Sequence, residues 1–229
     1  MFKRIIFALV CVFAFFNLSS SLEANINVGD LKAAHETNQI IIVAVTRGSE
    51  AKLTFYQQNY DNGEWDVILK SKAFIGKNGL GKTREGDLKT PVGTFKFTHA
   101  FGIKDDPGCE GFDYVKVDDT YYWVGDVNSD RYNQFVSTRD YSDFNKNDSE
   151  HIIDYVPQYN YALNINYNED GTPNLGSAIF LHCVGRRPYT GGCIAVPERI
   201  MSRILKAVKA DCRIIIDYES KLESGEGDY

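Results

Sequence analysis

Positive charge is scarce in this sequence. Twenty-five Lys and Arg stand against 31 Asp and Glu, for a formal net charge of −6. No segment gathers the basic stripe that would neutralise a phosphate backbone, so nucleic acid is excluded as a partner. Long apolar runs are missing too. The most extended one, 5–16, is about twelve residues, short of the roughly 20 that cross a bilayer, so no stable membrane span is expected once it is removed. There is no internal repeat and no low-complexity block. Proline (6) and histidine (4) are few.

What is abundant points to β structure. The chain of 229 residues is 43% hydrophobic, with 14 Tyr, 14 Phe and 19 Gly, a composition rich in strand formers. Its first 24 residues form a separate unit. Lys3 and Arg4 precede the apolar run, and small polar residues follow it. That is the layout of a secretory signal peptide, cleaved near Ser21 or Ala24. The expected location is outside the cytoplasm, in a periplasm or cell envelope, where disulfides are permitted. Cys11 lies in the removed segment, leaving Cys109, Cys183, Cys193 and Cys212 with three possible pairings. The expected organisation is a signal peptide (1–24), one domain (25–218) and an acidic, disordered tail (219–229).

Strands are expected at 39–47, where "QIIIVAVTR" is continuously β-branched and apolar, and at 51–60 and 64–74, joined by the turn signal Asp61-Asn62-Gly63. Further strands are expected at 161–168, 177–184 and 212–218, with a short helical segment at 29–38. The segment 103–150 reads as long surface loops around the short strand "YYWVGDV". One packed helix is expected at 197–210, with Pro197 in its first turn, Glu198 at the positive end of its dipole, and an apolar stripe of Ile200, Ile204, Leu205 and Val208. The sum is a mainly-β domain.

The glycine-rich "GKNGLGKT" matches a phosphate-loop pattern in letters. Gly86, Pro91 and Gly93 break the helix such a loop requires. The chemistry concentrates instead in "FLHCVGRRPYTGGCIAVP". A thiol attacks only as thiolate, so a nucleophilic Cys193 needs a base, and His182 is the one histidine near it in sequence. Gly191 and Gly192 bring unencumbered N–H groups that can face a developing oxyanion. Three other readings stand beside this one. Cys193 could be bridged to Cys183 or Cys212; His182 could be a satisfied core histidine; or His182, Cys183 and Cys193 could ligate zinc, though they lack a clean fourth ligand. No metal site and no cofactor are expected.

"IFLHC…YTGGCIAVP", with "REGDLKTPVGTFKF" ahead of it, resembles the L,D-transpeptidase catalytic domain (YkuD-type) family over roughly residues 40–218. "WVGDVNSDRYNQFV" resembles a branch with a shortened active-site loop. The resemblance implies a β-sandwich or open barrel carrying one helix and long loops. It also implies an exported enzyme of cell-wall biogenesis and cell shape. In it Cys193 forms a thioester with a peptidoglycan stem peptide, expelling the terminal D-alanine, before an amine from a neighbouring stem accepts the acyl group. It makes His182 the base, oriented by a backbone carbonyl, and aligns Thr190 and Gly192 with the family's positions before the cysteine. Where the family often has Ser/Thr-His-Gly-Cys and an Arg or Asn two residues later, this chain has Thr190-Gly191-Gly192-Cys193 and Ala195. Arg186 and Arg187 could supply the missing positive charge to a substrate carboxylate, or could be solvated loop residues; Lys82, Arg84 and Glu85 read as surface charge. Two other functions remain open: an L,D-carboxypeptidase in which water resolves the thioester, and a non-catalytic wall-binding module. The oligomeric state is not legible.

Overall fold

The structure, a computed structural model, describes residues 26–227 and 229. The expected signal peptide lies outside the described residues. The barrel strands are β1 (Gln39–Arg47), β2 (Glu50–Gln58), β3 (Trp65–Phe74), β4 (Gly93–Gly102), β5 (Tyr114–Lys116), β9 (Ala162–Ile165), β10 (Phe180–Cys183), β11 (Ile194–Val196) and β12 (Arg213–Tyr218). Between β5 and β9 the chain inserts β6 (Tyr121–Trp123), β7 (Phe135–Ser137) and β8 (Glu150–His151), and two helices, α1 (Glu198–Ala207) and α2 (Glu219–Ser224), complete the fold.

Nine strands form one sheet in the order β12-β1-β2-β3-β11-β10-β9-β4-β5, and β12 also pairs with β4. That second pairing closes the sheet on itself, so the barrel is closed where an open barrel or sandwich was expected. It is mixed. β1 runs parallel to β12 and antiparallel to β2.

β1 shows why its sequence does not alternate. Ile41, Val43 and Val45 enter the main core, while Ile40, Ile42 and Ala44 enter a second cluster on the outer face. A strand covered on both sides is apolar throughout. β2 has one wet face, and there Ala51, Leu53 and Phe55 are buried while Glu50 and Lys52 are exposed. β12 repeats the double burial, with Ile214 and Ile216 in the main core and Ile215 in the outer cluster.

The outer cluster is capped by two 3-10 turns, Val28–Asp30 and Lys32–His35, where a short helical segment was expected. It is also capped by the C-terminal segment. The acidic tail expected to be disordered instead forms α2, which buries Leu222, and Tyr229 packs in the same cluster. Its acidic composition concealed two apolar anchors. Helix α1 is shorter than the expected 197–210: Pro197 stands at its N-cap, and Val208 ends it with extended φ/ψ. Ile200, Met201, Ile204 and Leu205 join the main core.

The segment expected as loops around one strand carries a three-stranded sheet, β7-β6-β8. An aromatic cluster fastens it to the barrel. Trp123 packs edge-on to Phe180 at 4.7 Å, and Phe101 stacks on Phe135 at 5.1 Å.

Candidate active site

The parallel pair β10–β11 sets Leu181 against Ile194 and His182 against Ala195. Side chains alternate along a strand. Leu181, Cys183, Ile194 and Val196 therefore enter the main core, whereas His182, Ala195 and Cys193 face the other way. Cys183 and Cys193 thus point to opposite faces, and Cys109, Cys183, Cys193 and Cys212 are all free thiols. The structure overturns the bridged reading of Cys193 and turns Cys183 away from His182 and Cys193, the other two residues weighed as zinc ligands. Among the described residues no three His, Cys, Asp or Glu side chains gather to hold a metal.

Cys193 and His182 line one cavity of about 720 Å³. The thiol donates to the Ala178 carbonyl at 3.1 Å, and the Phe180 N–H donates to the sulfur at 3.3 Å. His182 is 5% exposed. Its Nδ1–H donates to the Cys183 carbonyl at 2.7 Å, which fixes the tautomer and leaves Nε2 as the acceptor. Among the described residues Nε2 has no hydrogen-bond partner. Tyr159 packs edge-on against the imidazole, with ring centroids 5.5 Å apart.

Burial sets the charge state of the pair. Desolvation pushes the Cys193 thiol up to about 12, helped by the charge of Glu150 and opposed by the Phe180 N–H and Lys82. Desolvation lowers His182 to about 4 against the pull of the Cys183 carbonyl. Both groups are held neutral by burial, so the proton must leave sulfur as the sulfur attacks.

The turn before Cys193 differs from expectation in one donor. Thr190 Oγ1 donates to the Cys193 carbonyl at 2.6 Å and accepts the Gly192 N–H at 3.1 Å. Gly192 is therefore not free to meet an oxyanion. Among the described residues no group takes the N–H of Gly191 or of Cys193. Gly192 itself is required. Its φ is +152°, and a Cβ there would stand 2.9 Å from the Lys89 carbonyl oxygen. A Cβ at Gly191 would meet nothing within 4 Å. Buried Thr90 locks the turn from below, accepting the Gly76 N–H at 2.8 Å and donating to the Gly192 carbonyl at 2.7 Å.

Arg186 and Arg187 sit exposed at the cavity mouth, Arg187 at 5.8 Å from the Tyr189 ring. Lys82 and Glu85 are not the surface charges expected; only Arg84 is exposed. The Lys82 side chain is 2% exposed and pairs with Asp87 at 3.1 Å. Burial raises Asp87, but the backbone N–H groups of Thr83, Lys89 and Arg84, and then Lys82, outweigh it and hold the carboxyl at about 2. Glu85 accepts hydroxyl hydrogens from Tyr132 at 2.5 Å and Ser177 at 2.9 Å. Glu150 and Tyr159, which the sequence does not single out, line the same cavity. No local signal marks them, because the inserted sheet carries Glu150 there and a 3-10 turn ahead of β9 carries Tyr159. "REGDLKTP" did carry a signal for Asp87 and Thr90.

The sequence model of the YkuD family, the L,D-transpeptidase catalytic domain, matches residues 38–216. No curated protein matches the chain. Among solved structures it is similar to the helical cell shape determining protein Pgp2 from Campylobacter jejuni, at 17% identity and a TM-score of 0.40, covering 82% of this chain and 53% of that one. It is also similar to L,D-transpeptidase 1 of Mycobacterium tuberculosis, at 15% identity and a TM-score of 0.34, covering 79% and 61%. The chain spans about half the length of Pgp2.

Proposed function

The chain belongs to the L,D-transpeptidase catalytic domain family, and from that premise we propose that it is an exported cysteine acyl-transferase working on peptidoglycan stem peptides through a thioester on Cys193. The observation that carries this reading is a free thiol and a tautomer-fixed imidazole opening into one cavity from the same face of adjacent strands.

The donor peptide lies in the cavity with the carbonyl of its diamino acid L-centre over the sulfur. As the S–C bond forms, Nε2 of His182 takes the thiol proton. The carbonyl oxygen gains charge opposite the N–H groups of Cys193 and Gly191, and such donors are worth roughly 2.7–4 kcal/mol each in well-studied acyl-transfer sites. Collapse breaks the C–N bond, and His182 returns the proton to the departing amine of D-alanine. Thr190 and Thr90 hold the turn that aims the sulfur, and Gly192 permits its backbone path. Arg186 and Arg187 take a substrate carboxylate at the mouth. An amine of a second stem then resolves the thioester. Among the described residues no helix is long and apolar enough to cross a membrane.

Incubation with disaccharide-tetrapeptide and mass analysis of the products tests this reading. Cross-linked dimers or exchanged D-amino acids are expected. Trimmed tripeptides alone would reassign the protein as an L,D-carboxypeptidase, and unchanged substrate would leave a wall-binding module.

A further inference from the structure

The cavity has a pole that the thioester chemistry leaves unused. Glu150, on β8, points a half-buried carboxylate into it and receives only the Tyr159 hydroxyl, at 2.5 Å. Glu85 lines the same space and receives only the hydroxyls of Tyr132 and Ser177 at its side chain. Among the described residues no Lys or Arg pairs with either carboxylate. The buried cation of this cavity, Lys82, is already committed to Asp87.

Two carboxylates that meet only hydroxyl groups in one cavity suit a positively charged group.

We propose that Glu150 is the acceptor-side base: it receives the ammonium of the incoming amine and takes the proton that the amine must lose before it can attack the thioester. The inference rests on the Cys193 thioester proposed above. The step balances. R–NH3+ and Glu–COO− give R–NH2 and Glu–COOH. The amine nitrogen forms the C–N bond, the C–S bond breaks, and the second amine proton passes through His182 to the leaving sulfur. The proton on Glu150 returns to solvent.

The surroundings suit the task. Burial, relieved partly by the Tyr159 hydroxyl and reinforced by the charge of Glu85, raises the Glu150 carboxyl to about 7, so it is basic enough to accept a proton at neutral pH. The groups facing it are Tyr159 and Tyr155 from the turn before β9, Glu85 from the glycine-rich loop, and the Cys193 and His182 pair. Tyr159 touches both partners, bonding Glu150 through its hydroxyl and packing its ring on His182. The base for the acceptor is thus linked to the base for the thiol.

The test separates two acceptors. Wild type and Glu150→Gln are acylated with tetrapeptide, and release of the acyl group is followed by mass with either a second tetrapeptide or hydroxylamine, an amine already neutral at pH 7. Glu150→Gln should still form the acyl-enzyme, and that acyl-enzyme, once formed, should be released by hydroxylamine at the wild-type rate. It should lose transfer to the cationic stem amine by about 100-fold, the low end of what general-base catalysis supplies, with product shifting to hydrolysis. Formate should restore transfer in Glu150→Ala, a rescue that a structural role could not give. Normal transfer by Glu150→Gln, equal slowing with both amines, or no formate rescue would overturn the inference while leaving the thioester standing. Absence of acylation in the wild type would instead remove the thioester, and this inference with it.

Discussion

Asp87→Asn should unsettle this domain more than any other single-atom exchange near the site. Asp87 is 9% exposed and uses both oxygens fully. Oδ2 accepts the Thr83 N–H at 2.8 Å and the Arg84 N–H at 3.2 Å, while Oδ1 accepts the Lys89 N–H at 3.0 Å and Lys82 Nζ at 3.1 Å. An asparagine has one carbonyl oxygen, so its NH2 must face one of these donor pairs, and Lys82 loses its counter-charge. Breaking one partner of a buried pair costs about 3–5 kcal/mol.

Part of that depends on pH. The carboxyl falls from 3.8 to about 2 on folding, equivalent to about 2.5 kcal/mol. Because the folded value is the lower one, this contribution is complete above 3.8 and fades as pH drops toward 2. Urea unfolding of both proteins should show a gap of about 3–5 kcal/mol at pH 7 that narrows below pH 4. Lys82→Met should be milder, because Asp87 keeps three backbone N–H donors. A gap under about 1 kcal/mol, or one that ignores pH, would refute the claim that this pair anchors the glycine-rich loop.

Three shorter expectations follow. Gly192→Ala must adopt a backbone conformation open almost only to glycine while its Cβ presses on Lys89, so it should lose about 1–3 kcal/mol and lower Tm by about 2–4 °C per kcal/mol, whereas Gly191→Ala should melt with the wild type. Equal melting of the two variants by calorimetry would contradict the described turn. Iodoacetamide labelling of Cys193 at pH 6 should slow sharply in His182→Ala, and equal labelling would remove His182 as base. In the wild type the same labelling should fall away only as pH drops through about 4, where the imidazole becomes protonated and can no longer accept a proton; a midpoint near 6.5 would show that the ring is not desolvated.

Much of the barrel is legible along the chain because its signals are local. The unbroken apolar run of β1 announces burial on both faces, and the alternation in β2 announces one wet face. The inserted sheet is not legible, since Tyr122 pairs with Val136 on one side and His151 on the other, and such distant registers leave no local periodicity. Barrel closure is hidden for the same reason: it rests on β12 meeting β4 across about half of the chain. His182 and Cys193 are conspicuous by their residue types and flanking glycines. Lys82 resembles an exposed lysine until folding supplies Asp87 and brings it beside Gly192. Thr190 hides differently, because its capture of the Gly192 N–H is a matter of turn geometry and not of residue type.

The account stands or falls on what becomes bound to one sulfur. Intact-protein mass after incubation with tetrapeptide, followed by peptide mapping, should show a tripeptidyl adduct on Cys193 that hydroxylamine removes, and no adduct in Cys193→Ala. A wild-type protein that consumes tetrapeptide without ever carrying that adduct, or a Cys193→Ala protein that still does so, would contradict it.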